Sequence, residues 1–227
     1  ASRVELEGQG RVEVRDVGYT PIGLGVGLAL SRLRLFELLE AAYGNPFEHT
    51  RALSIEVDID VRFVRDVTTI TNAMVDSQEV DPGRPVDVTV TLRPFGEEEQ
   101  VRVIPVPIPE SAAGAKIEIH LQPGDEVKVE QPRPQDLADL IEAVKSGYPS
   151  TSLVLSTRLP SSGLRMYGHV VRALPRSALD ALQPSNESES GKPFTTFEHL
   201  EIPLDNVVVG STKLKLKVRD TPREKRL

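Results

Sequence analysis

The sequence predicts a mainly β protein. The expected architecture is an antiparallel, immunoglobulin-like sandwich running to about residue 130, followed by a smaller α+β unit with one clear helix over 134–146. Three observations predict it. Apolar and polar residues alternate with period two in many short runs, which puts one set on each face of a strand. The runs are bounded by Pro-Gly turns, such as Pro82-Gly83 and Pro123-Gly124. Hydrophobic residues make up 39% of the chain, yet aromatics only 4% and tryptophan none. The core is therefore built from Val, Leu and Ile, and their β-branched share favours strands.

Residues 3–17 read as a hairpin, with Val4 and Leu6, then Val12 and Val14, flanking Gly8-Gln9-Gly10. Gly23, Gly25 and Gly27 then alternate with Ile22, Leu24, Val26 and Leu28. This GxGxG spacing lacks the phosphate-loop pattern and its lysine, and suits a strand with one bare face. Leu35–Tyr43 reads as a helix with Leu35, Leu38, Leu39 and Ala42 on one side, capped by Gly44 and stopped by Asn45-Pro46. Ile55–Phe63 is the clearest strand signal: Ile55, Val57, Ile59, Val61 and Phe63 alternate with Glu56, Asp58, Asp60 and Arg62. Three carboxylates on a straight strand lie too far apart to close on one calcium ion, so a solvated face is the expectation.

Another strand is expected near Thr68–Val75, and a hairpin over 86–104. There Val86, Val88, Val90 and Leu92 share a face, Phe95-Gly96 turns the chain, and Val101 and Val103 resume the alternation. The parity slips at Val106 and Ile108, and Pro105, Pro107 and Pro109 mark an edge or extended connector. Lys116–Leu121 and Glu126–Glu130 read as a pair around Pro123-Gly124. Gln131–Pro134 is the best candidate linker and divides the chain into 1–130 and 131–227; one fused domain is the alternative. Beyond it, Leu137, Leu140, Ile141 and Val144 keep helical spacing, with Pro134 in the first turn and Gly147 at the end. Leu153–Leu159, Leu164–Val171, Thr195–Leu204 and Asn206–Val218 read as strands. Ser177–Leu182 reads as at most two helical turns, and residues 185–192 as a polar loop.

Composition excludes several functions. A net charge of −7 argues against a general nucleic-acid binder. The charge is uneven: Lys213, Lys215, Lys217, Arg219, Arg223, Lys225 and Arg226 stand against only Asp220 and Glu224 at the C-terminal end. With no cysteine there is no disulfide and no thiolate chemistry. No apolar run reaches membrane-spanning length. A start at Ala-Ser-Arg is expected of a cut or processed chain. His49, His120, His169 and His199 fall at no metal-pair spacing, so neither metal nor cofactor is expected. The nearest approach to a nucleophile and base is Ser162 with His169, without a marked carboxylate or oxyanion hole. Carbohydrate stacking is poorly supplied by four tyrosines and no tryptophan. The remaining candidate is a sheet edge that takes up a partner strand, at Thr212–Val218 with Lys213, Lys215, Lys217 and Arg219, or at Val101–Ile108.

Several phrases occur in a telling order. They are Asn45-Pro46-Phe47 before a long strand, Val80-Asp81-Pro82-Gly83 before VDVTVTLRPF, VPIP at 106–109, DLADLIEAV, Leu174-Pro175-Arg176-Ser177, and VVVGSTKLKLKVR at 207–219. Over residues 45–219 the chain resembles the C-terminal, non-peptidase part of bacterial envelope proteins that carry a SpoIVB-type serine peptidase domain. The glycine-histidine and SGSP-like motifs of that peptidase are absent; Gly168-His169 is an isolated dipeptide. The resemblance implies a non-catalytic accessory module of a secreted or periplasmic protein, docking a partner or the peptidase domain. A hydrolase with a dispersed Ser162/His169 site and a structural spacer are the alternatives.

Overall fold

The computed structural model describes residues 1–20, 33–129, 134–159, 164–166, 169–171, 192–193 and 196–221. The glycine-alternating run at 22–28, the Gln131–Arg133 part of the linker, Ser162, the turns at 177–182 and residues 185–191 of the polar loop lie outside them; Lys192 of that loop opens a short strand. The protein is mainly β: a two-sheet sandwich with a small α+β unit.

The N-terminal hairpin pairs β1 (Ser2–Leu6) with β2 (Gly10–Val14), and Gly8 and Gly10 take the positive φ its turn requires. On its other side β1 pairs with β3 (Ala52–Val57), giving the order β2-β1-β3. Two helices, α1 (Arg34–Gly44) and α2 (Leu137–Lys145), cover part of this sheet. Val4, Leu6, Val12, Leu35, Leu38, Ala42, Leu137 and Ile141 form its core. The expected Gly44 cap is replaced by Asn45. Gly44 has no left-handed φ; instead the Asn45 amide donates to the Ala42 carbonyl at 2.7 Å, and its Oδ1 accepts from the N–H groups of Phe47 and Glu48. Helix α2 is capped by Asp136, whose carboxylate accepts from the Asp139 N–H at 2.8 Å, and begins at Leu137, three residues after the expected proline start.

The sandwich has one sheet of four strands and one of five. The first contains β4 (Val67–Val75), β6 (Val86–Pro94), β7 (Gln100–Val106) and β14 (Val207–Val209), in the order β14-β4-β6-β7. The second contains β5 (Glu79–Val80), β8 (Lys116–Pro123), β9 (Ser152–Leu159), β13 (Thr196–Pro203) and β15 (Thr212–Val218), in the order β13-β9-β8-β15-β5. Short strands β10 (Leu164–Met166), β11 (His169–Val171) and β12 (Lys192–Pro193) make a further small sheet. Most pairings are antiparallel, but β14 runs parallel to β4 and β15 parallel to β5. Val88, Val90, Leu92, Ile104 and Val106 from one sheet meet Ile117, Ile119, Leu121, Leu153, Leu155 and Leu216 from the other in one core. Each of the two cores draws on both sides of residue 130. Among the described residues, no helix is long and apolar enough to cross a membrane.

Three local readings are corrected. Val101 and Val103 do not face the core. The β6–β7 register sets Val88 against Ile104 and Val86 against Val106, so the even positions of β7 point inward. The strand expected over Glu126–Glu130 is absent from its described part, 126–129: a 3₁₀ turn spans Gly124–Glu126, and β8 takes β9 and β15 as neighbours. The strand expected to reach Phe63 ends at Val57. Its last pair is Ala1–Asp58, and among the described residues no strand lies beside 59–63.

Candidate functional site

Two sheet edges, a lysine-rich strand expected to be a third, and one polar face are the places where this fold offers chemistry. The lysine-rich strand β15 is not an outer strand. It lies between β8 and β5, although β5 pairs only with Lys217 and Val218. Its cations are largely engaged by its own sheet. Lys213 stands 3.3 Å from Glu118, and Lys217 3.9 Å from Glu79. Arg219 reaches Asp81 at 2.7 Å and Glu79 at 3.7 Å. Lys215 is opposite Glu118 in the register. These side chains fasten β15 to its neighbours; the exposed lysine pairs contribute about 0–1 kcal/mol each, while Arg219–Asp81 is partly buried. Beside them lies an open cleft of about 690 Å³ lined by Lys116, Glu118, Arg158, Lys215, Lys217 and Glu79 among others.

Of the two edges, β7 ends the four-stranded sheet as expected and exposes Val101 and Val103 on its outer face. Pro105 lies within it, and Pro107 and Pro109 follow. Each removes a main-chain donor, which is how natural sheets protect an edge against an unwanted strand.

The other edge, β3, has no such protection. Ala1 and Asp58 exchange both main-chain bonds, at 2.8 and 2.9 Å, so they form a hydrogen-bonded pair. Such pairs alternate along an antiparallel ladder. Arg3–Glu56 is then the next hydrogen-bonded pair, while Val4–Ile55 and Ser2–Val57 are not. The N–H and C=O groups of Ile55 and Val57 therefore point away from β1, toward the open edge. Their side chains lie on the helix-covered face of the sheet, beyond the helices' reach. Val4 is fully buried, whereas Ile55 and Val57 are 47% and 40% exposed. Beyond the strand Ile59, Val61 and Val64 are exposed as well, and Phe63 is 95% exposed. Leu53, at the irregularity in the β1–β3 register, is exposed as well. On the opposite face Arg3 stands 2.7 Å from Asp58 and 3.9 Å from Glu56, and Arg11 3.4 Å from Glu56. Exposed apolar surface of this extent marks interaction sites on folded proteins.

The outer face of the five-stranded sheet carries a cross-strand row that sequence inspection missed: Lys213, His120, Ser156 and His199 stand side by side. Ser156 Oγ is 2.9 Å from His199 Nδ1. The His199 ring stacks on Phe197 and tilts against Tyr148, with centroids 6.1 and 5.8 Å apart. Ser152 donates to Glu201 at 2.6 Å. Burial, and secondarily the Glu201 charge, raises the Tyr148 phenol above its ordinary pKa. Burial, then the Lys213 charge, lowers His120, against a smaller opposing pull from Glu118. A serine and histidine at hydrogen-bond distance resemble a nucleophile and base, but Ser156 is buried, only 4% exposed. Of the Ser162/His169 pair, Ser162 is outside the described residues and His169 opens β11.

No family model matches this chain, and no similar protein was found among curated proteins or solved structures.

Proposed function

We propose that the chain is a non-catalytic, β-rich docking module that holds a protein partner by strand addition at the edge of β3. The envelope setting, periplasmic or secreted, rests on the resemblance of residues 45–219 to peptidase-associated modules, and a covalently linked peptidase domain is one such partner. The observation that carries the reading is the coincidence of two features on one segment. Ile55 and Val57 aim their main-chain groups at an edge with no described neighbour, and the chain that follows exposes Ile59, Val61 and Phe63. In strand addition the backbone supplies affinity and alternate side chains supply specificity.

Panning a random peptide library displayed on phage against the chain tests this, with Ile55→Pro as the control. Proline at 55 removes an outward N–H and none of the bonds to β1, so the variant keeps its sheet. Enriched peptides whose binding is lost in Ile55→Pro are expected. Enrichment indifferent to Ile55→Pro, or none, overturns docking at this edge. Labelling of a serine by a fluorophosphonate probe overturns the non-catalytic part.

A further inference from the structure

We infer that the β3 edge selects an extended protein segment in which apolar side chains alternate with basic ones. This rests on strand addition at β3, as proposed above, and adds the chemistry of the partner. A strand laid along β3 places half its side chains beside Ile55 and Val57 and the other half beside Ser54, Glu56 and Asp58. The first set extends an apolar surface already half open to water. The second set meets two carboxylates, with side chains 62% and 69% exposed.

Their cations stand on the inner side. Arg3 belongs to the central strand and Arg11 to the far one, so both approach Glu56 and Asp58 from within the sheet. Beyond the strand, Arg62 stands 3.4 Å from Asp60. The outer flank of Glu56 and Asp58 is thus left to an incoming side chain. Directly opposed residues in neighbouring strands lie about 5 Å apart, where opposite charges attract and like charges repel. Lysine or arginine on the added strand satisfies Glu56 and Asp58; glutamate or aspartate does not. The same rule disfavours self-pairing of β3 in the register centred on Val57, which sets Glu56 against Asp58 twice.

The chain contains no tryptophan, so one tryptophan in a peptide reports alone. Three peptides decide the matter: Lys-Val-Lys-Trp-Lys-Val-Lys, the same peptide with threonine at every lysine, and the same with glutamate. Binding is followed by tryptophan fluorescence at low salt, on the full chain and on Glu56→Gln/Asp58→Asn. The neutral pair keeps the shape of both side chains and avoids new repulsion against Arg3.

The lysine peptide is expected to bind about tenfold more tightly than the threonine peptide, with the glutamate peptide weaker still. The double variant brings lysine and threonine peptides to within about twofold, and added salt does the same to the parent. Backbone amides of Ile55 and Val57 exchange rapidly in the free chain and slowly with peptide bound. If all three peptides bind alike and slow those amides, docking stands and selection by charge is overturned. If none binds, or if the amides are already slow in the free chain, the docking edge itself is overturned. A lysine preference unchanged in Glu56→Gln/Asp58→Asn moves the charge effect elsewhere and overturns the inference.

Discussion

Phe63→Ser asks whether the apolar segment beyond β3 is exposed in solution. Phe63 is 95% exposed, so the fold draws almost nothing from its side chain. Burying a whole phenylalanine side chain stabilises a protein by about 1.5–3 kcal/mol. One twentieth of that is about 0.1 kcal/mol, below what unfolding curves resolve. Leu155, fully buried between the two sheets, is the internal standard. Leu155→Ala removes buried methyl groups and leaves a cavity, at a cost of about 2–5 kcal/mol. The two variants are compared with the parent by urea unfolding, with stability taken from midpoint and slope together. Phe63→Ser is expected to superimpose on the parent within about 0.5 kcal/mol, and Leu155→Ala to shift far to lower urea. A loss above about 2 kcal/mol for Phe63→Ser would mean that the ring is packed against something. That result would refute the exposed segment, and with it the docking edge.

Two further perturbations test the structure elsewhere. A Cβ at Gly124 would come within 2.2 Å of the Pro149 carbonyl oxygen and 2.8 Å of the Tyr148 Cβ, so Gly124→Ala forces backbone apart. It should cost about 1–3 kcal/mol or more, whereas Gly44→Ala, with open space and an ordinary helical φ, should gain up to about 1 kcal/mol; thermal unfolding of both separates the cases. The second concerns pH. Burial and Lys213 lower the His120 pKa in the folded chain, so between its two pKa values the unfolded state binds more protons. Its stabilising contribution is present above the unfolded value near 6.5 and is lost as pH falls toward the lowered folded one. Lys213→Met should raise the His120 midpoint in an NMR titration and weaken this loss; an unmoved midpoint would show that Lys213 does not act on the ring.

Much of the fold was legible because local pattern and burial agree. The β6 run needs one face in a core and one outside, and Val88, Val90 and Leu92 are buried while Asp87 and Arg93 are exposed. Helix α2 carries its own cap and apolar stripe, so its existence needs no partner to be guessed. The β7 parity failed because two readings of VRVIPV are equally good by alternation; only the pairing with β6 chose Ile104 and Val106. The candidate sites were less legible. Ser156 and His199 are 43 residues apart and meet only because β9 and β13 are neighbours. The lysines of β15 looked like an outer edge, since nothing local announces that the two-residue β5 will pair with Lys217 and Val218.

The sequence by itself determined that this chain is strand-rich, aliphatic in its core and acidic overall, because composition and period-two alternation act over a few residues at a time. It also determined where the chain turns, since Gly83 and Gly96 take the left-handed φ their turns require. Only the tertiary structure decided which strands stand at an edge and which apolar faces are covered. Ile55–Phe63 shows why. Its alternation is as regular as that of β6, yet β6 has a second sheet against its valines while the apolar residues from Ile55 onward face water. Alternation states that a strand has an apolar face; burial depends on a partner surface contributed by distant residues, and no short stretch of sequence encodes that partner.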